Sequence, residues 1–167
     1  ALGGAKQDGQ SLDLPQNEAQ ALINLFRQSK FRMVLQASAA IAAKHPSSAF
    51  LWDITGMANA SLGGFADAEA CFRKVIAIKP DFADAHNNLG NTLKEQGMFV
   101  EAAECYQRAI AINPDHAEAY NGLGVVQLEL GRVEEAIESL QRALKLNPGQ
   151  AGAQNNLGNA LKEVGNL

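Results

Sequence analysis

Few residues of this chain are equipped for chemistry, and those few stand apart. His45, His86 and His116 fall at unrelated positions, and no two share the short spacing of a zinc site. His86 takes the place that Trp52 and Tyr120 hold 34 residues to either side, so its expected work is packing. Cys71 and Cys105 also lie 34 apart, on equivalent faces if the chain repeats. They could pair or carry redox chemistry, but two isolated cysteines in a reducing compartment act as small apolar filler. The acidic pairs Glu101/Glu104 and Glu134/Glu135 could in principle serve as acid and base. At the starts of helices their ordinary role is to complement the macrodipole. Gly122, Leu123 and Gly124 precede neither a basic residue nor a strand–helix junction, so they build no phosphate loop. The expectation is a chain with no catalytic residues, no metal site and no cofactor.

Asparagine is the one polar type with a pattern. Asn87, Asn121 and Asn155 recur every 34 residues, and Asn88/Asn156 and Asn91/Asn159 form partial sets. A carboxamide offers both a donor and an acceptor. A row of them can therefore hold the backbone of an extended peptide while tolerating varied side chains. The alternative is that some of these amides bond only within the protein. Phe50, Ile54 and Met57 supply an apolar patch beside the row. These ten residues are the expected peptide-binding surface.

A 34-residue period must position them. Pro46, Pro80, Pro114 and Pro148 keep that beat, and so do the series Gly56, Gly90, Gly124, Gly158 and Gly63, Gly97, Gly131, Gly165. Residues 83–116 and 117–150 share 15 identities in 34, beyond anything chance supplies. Within 83–116 the spacing predicts a helix through Gln96, with Leu89 and Leu93 on one face and Asp81 as its N-cap. Gly97 breaks it. A second helix from about Val100 to Ile112 presents Ala102, Tyr106, Ala109 and Ile110, and Pro114 ends it. Asp115 and Glu118 are placed as a capping box for the next helix.

The unit resembles the tetratricopeptide repeat (TPR), whose pattern is W-x2-L-G-x2-Y…A-x3-F…P at a period of 34. Trp52, Gly56, Ala68, Phe72 and Pro80 carry it in one unit, and Leu89, Gly90, Ala102, Tyr106, Ala109 and Pro114 in the next. Tyr120, Leu123, Gly124, Ala136, Ala143 and Pro148 carry it in a third. The resemblance implies an all-α, right-handed superhelical solenoid of antiparallel helix pairs. The expected division is a flexible tail over 1–14, a degenerate repeat over 15–48, and repeats over 49–82, 83–116 and 117–150. The first helix of a further repeat follows over 151–167. In the degenerate unit Leu22 and Ser29 stand where glycines would, and Val34 replaces the small Ala.

The resemblance also implies a function: binding a protein or extended peptide in a concave groove lined by the first helices. The run Asn87-Asn88-Leu89-Gly90-Asn91 and its copy at 155–159 are similar to the TPR arm of O-GlcNAc-transferase-type glycosyltransferases, where an asparagine ladder holds the polypeptide substrate. A substrate-recognition arm of a larger transferase is thus an alternative, and a self-assembling structural module a second. Ile54, Gly122 and Val125 interrupt the ladder. Cochaperone TPR domains clamp a C-terminal carboxylate with basic residues. Here the comparable positions hold Asp53, Met57, Asn88, Glu118 and Gly122, which counts against that mode.

Composition fits the helical reading, since Ala and Leu abound and β-branched residues are scarce. A formal charge of −4 with no basic run excludes a phosphate-reading stripe, so neither nucleic acid nor an anionic membrane is an expected partner. No apolar stretch approaches a spanning helix, the opening residues lack the pattern of a signal peptide, and a cytoplasmic location is the default. The last helix, with Leu157, Leu161 and Val164, reads as an uncapped end, and Leu22, Leu25 and Phe26 offer a second. A fragment of a longer array, able to form a homodimer through an exposed end, is the corresponding expectation.

Overall fold

The computed structural model describes residues 13–165, and among them it holds nine α-helices and no strand. They are α1 (Gln16–Arg27), α2 (Phe31–Ala42), α3 (Ala49–Ser61), α4 (Phe65–Ile78), α5 (Ala83–Glu95), α6 (Phe99–Ile112), α7 (Ala117–Glu129), α8 (Val133–Leu146) and α9 (Ala151–Gly165). Each odd helix also packs on the next odd helix, whereas even helices touch only their sequence neighbours. The odd helices thus form the tighter, inner row of an all-α solenoid.

Small residues on the inner helices receive large ones from the outer helices. A Cβ added at Gly56 would stand 2.8 Å from the Phe72 ring, and one at Gly90 would stand 2.8 Å from Tyr106. At Gly124 the neighbour is Leu140, at 2.6 Å. Phe72, Tyr106 and Leu140 are all fully buried, each contributing roughly 1.5–3 kcal/mol of hydrophobic transfer. The first pair reverses the sizes: Leu22, at the glycine position, is buried, and the small Ser38 takes the place of the large residue. Leu22 therefore belongs to the core and offers no exposed end surface, contrary to the sequence expectation.

Helices α3, α5 and α7 each close on a glycine with positive φ, at Gly63 (78°), Gly97 (76°) and Gly131 (72°). The amide of the residue after it then bonds back into the last helical turn, as Met98 does to Leu93. In the first pair Ser29 holds this left-handed geometry at φ 56°. A side chain there costs about 1–2 kcal/mol. Ser29→Gly is therefore expected to stabilise the chain by about 1 kcal/mol, read as a higher urea midpoint at unchanged slope.

Three sequence expectations need correction. Asp81 does not cap α5, and Asp115 does not cap α7. Both lie one residue too early, in turns that place Phe82 and His116 at the N-cap positions. Asp115 is itself held by the Asn113 side chain, whose Oδ1 accepts its amide at 3.1 Å. The tail also ends sooner than composition implied. Residues 1–12 lie outside the described residues, but Leu14 is buried and Asp13 binds the start of α3. Its Oδ1 accepts from Ser48 Oγ at 2.6 Å and its Oδ2 from the Ala49 amide at 2.7 Å, so a carboxylate sits on the positive end of that helix.

His86 has a specific task. Its Nε2 lies 2.9 Å from the Pro80 carbonyl. Trp52 Nε1 donates to the Pro46 carbonyl at 2.7 Å, and Gln154 Nε2 donates to that of Pro148 at 2.8 Å. A side-chain N six residues after the proline ties α3, α5 and α9 to the turns before them. Tyr120, at the same register, has no such nitrogen.

Candidate functional site

The inner row curves around a groove of about 730 Å³. Phe26, Met57 and Phe65 give it apolar surface, and Asn87, Asn88 and Asn91 of α5 line its wall. Three of the expected asparagines and Met57 thus meet at one concave surface.

The other expected residues lie elsewhere. Ile54 is buried in the core of the first pairs, and Phe50 packs against that core. Asn121 is half-buried on α7 and accepts from Asn156 Nδ2 at 3.0 Å. Asn155 and Asn159 are exposed on α9, away from the groove lining. Gly122 breaks the row for a packing reason, since a Cβ there would stand 2.5 Å from the Tyr106 ring.

The amides also work inside the stack. Asn88 Nδ2 reaches Asp53 Oδ1 at 3.4 Å, and Asn156 repeats that bond to Asn121 two units along. Asn91 Oδ1 accepts from the Tyr106 hydroxyl at 2.8 Å. Asn88 and Asn91 each keep bonding capacity facing the groove, because a carboxamide has two donors and an acceptor with two lone pairs.

The sequence placed Asp53 and Glu118 only as positions lacking the basic residues of a clamp, and did not group them with Asp84 and Glu95 as one acidic wall. Asp53, Asp84, Glu95 and Glu118 all line the groove, and among the described residues no lysine or arginine does. A signal was present, since Asp84 and Glu118 are 34 residues apart and so share a register on α5 and α7. Burial pushes the Asp53 carboxyl from 3.8 up to about 6; the Asn88 amide opposes that rise, and the charge of Asp84 adds to it.

His116 is tied at both nitrogens. Its Nδ1 accepts the Ala119 amide at 3.3 Å, capping α7. The proton therefore sits on Nε2, which donates to Asp84 Oδ1 at 3.0 Å. Glu118 lies 3.5 Å from Nδ1, but a nitrogen that accepts has no proton to share with it. Among the described residues no three of His, Cys, Asp or Glu converge as metal ligands, and no helix is long and apolar enough to cross a membrane. Burial raises both thiols, Cys71 above its ordinary value and Cys105 to about 11, so neither is a thiolate at neutral pH.

Two family profiles match the chain, one described as a tetratricopeptide repeat over residues 89–151 and 131–161, the other as a TPR repeat over 56–97. The chain belongs to the tetratricopeptide repeat family. No curated protein matches it. Among solved TPR-like structures, that of MamA is 25% identical with a TM-score of 0.79, over 85% of this chain and 83% of that one. PilF of Pseudomonas aeruginosa is 21% identical with a TM-score of 0.80, over 88% of this chain and 67% of that one. The first TPR of Spaghetti (RPAP3), solved with the HSP90 peptide SRMEEVD, is 23% identical with a TM-score of 0.69, over 70% of this chain and 93% of that one.

Proposed function

We propose that this TPR solenoid binds an extended segment of another protein in the concave groove of α3, α5 and α7. The observation that carries the reading is the groove itself: apolar surface from Phe26, Met57 and Phe65 below amides from Asn88 and Asn91. Apolar surface supplies most of the driving force for association, and dual-function amides satisfy a peptide backbone that leaves water. A TPR relative that holds a peptide supports the mode of binding, although its ligand is acidic and this groove is not suited to acid.

Photo-crosslinking tests the site. A benzophenone side chain at Ser61, in the groove lining, is expected to capture protein segments that one at Val100, exposed on α6, does not. The double variant Asn88→Ala/Asn91→Ala is expected to weaken that capture, each lost bond contributing about 0.5–1.5 kcal/mol. Equal capture from residue 100, or capture indifferent to the double variant, would move the site off the groove.

A further inference from the structure

The charge on the groove wall says which segments it takes. Each of α3, α5 and α7 contributes a carboxylate to the lining, as Asp53, Asp84 and Glu118, with Glu95 at the far end of α5. Glu95 has a cation of its own, Lys94 at 3.1 Å. Among the described residues the other three have no lysine or arginine beside them. Asp84 meets Nε2 of the His116 ring, Glu118 stands beside the same ring, and Asp53 has only the long 3.4 Å contact from Asn88. Carboxylates gathered in a concave wall with apolar flanks focus a negative potential. Asp53 carries a further cost, being partly withdrawn from water without a cation beside it.

We propose that the groove is selective for a basic segment, with a lysine or arginine head seated among Asp53, Asp84 and Glu118. The aliphatic stem of that residue, and an apolar neighbour, lie on Met57 and Phe65. Asn88 and Asn91 hold the main chain. The inference rests on the peptide-binding reading above and adds its chemistry. An arginine would use its planar fork across two carboxylates, and a lysine would act as a point charge between them. Acidic segments are repelled, which inverts the polarity of the HSP90 peptide held by the RPAP3 domain.

Three fluorescein-labelled dodecapeptides test this. They share leucines at alternate positions and carry lysine, glutamine or glutamate at the same intervening sites. Anisotropy titrations at neutral pH are expected to show the lysine peptide binding at least about tenfold tighter than the glutamate one, a preference that shrinks with added salt. The triple variant Asp53→Asn/Asp84→Asn/Glu118→Gln is expected to lose about tenfold toward the lysine peptide. Glu101, Glu104 and Glu134 are exposed on the outer helices, and neutralising them removes the same charge. That control should lose less than about twofold, because its charges lie remote from the ligand and are screened. Asp53→Asn alone, which keeps an amide partner for Asn88, serves should the triple variant lose helicity.

Equal affinity for the three peptides, equal loss in the control, or no binding of the lysine peptide would overturn the proposal. The Asn88→Ala/Asn91→Ala variant separates its failure from that of the parent reading. If it weakens all three peptides alike while their affinities are equal, the groove binds peptides without charge selection. If it changes nothing, both readings fall.

Discussion

Tyr106→Ala is expected to destabilise the chain by about 3–5 kcal/mol, the range for emptying a large buried aromatic. The ring is fully buried and serves two helix pairs at once. It fills the hollow of Gly90 on α5, and a Cβ at Gly122 on α7 would stand 2.5 Å from it. Its hydroxyl donates to Asn91 at 2.8 Å. Removing it opens the joint between α6 and α7 as well as that between α5 and α6. Stability in a solenoid is a sum of units and their interfaces, so a weakened joint lets the two sides unfold separately. A broader, two-phase urea transition by circular dichroism is the expected sign, and a single sharp transition close to that of the parent would contradict it. Tyr106→Phe keeps the volume and loses about 1 kcal/mol with the hydrogen bond. The glycines offer a matched contrast. Gly122→Ala drives a methyl into the immobile ring, so the roughly 1–3 kcal/mol of overpacking outweighs the better helix propensity of alanine. Gly158 has no atom within 4 Å of its would-be Cβ, so the same change there is stabilising.

That contrast also shows what the sequence could and could not say. Identical spacing marked Gly56, Gly90, Gly124 and Gly158 as equivalent, but the structure sets a large side chain against only the first three. Only packing reveals that Gly158 faces no partner. The period was legible because each unit solves the same problem, a large side chain seated over a small one, and so reuses the same residues. Ser29 was legible as a departure for the same reason. The caps were not, because a one-residue shift of the turn moves the cap from Asp81 to Phe82 and from Asp115 to His116. Within the candidate site, the asparagines stood out by repetition, but repetition does not say which amides face the groove. Asn88 and Asn91 do, while Asn121 is spent on Asn156. The acidic wall was harder to see, because Asp53 is not in register with Asp84 and Glu118. It lies on α3 one helical turn beyond the position in register with them.

Asp53→Asn is expected to make the protein more stable at neutral pH while making the groove a poorer site for cations. Burial raises this carboxyl from 3.8 to about 6, with Asn88 opposing and Asp84 adding to the rise. The proton is therefore held more tightly in the folded chain than in the unfolded one. Its contribution to stability is complete below pH 4 and is lost as pH rises through about 6, the reverse of a salt-bridged carboxylate. Asparagine has nothing to ionise and can still bond the Asn88 amide. The variant should match the parent near pH 4 and gain on it steadily to about pH 7. The gain is on the order of 1–3 kcal/mol, from about 1.4 kcal/mol per pH unit reduced by the side chain's partial exposure. The charges to be followed with it are Asp84 on α5 and the His116–Glu118 pair on α7, which remain in both proteins. Whatever they contribute with pH is largely shared and cancels in the difference. Urea unfolding of both proteins across that range measures it. A constant offset at every pH would mean that Asp53 is ionised at no cost. Stability and binding therefore pull in opposite directions at this carboxyl. Adding the lysine dodecapeptide should narrow the gap at pH 7, by up to about 1.4 kcal/mol for a tenfold difference in affinity, because the ligand cation stabilises the ionised form that folding alone disfavours.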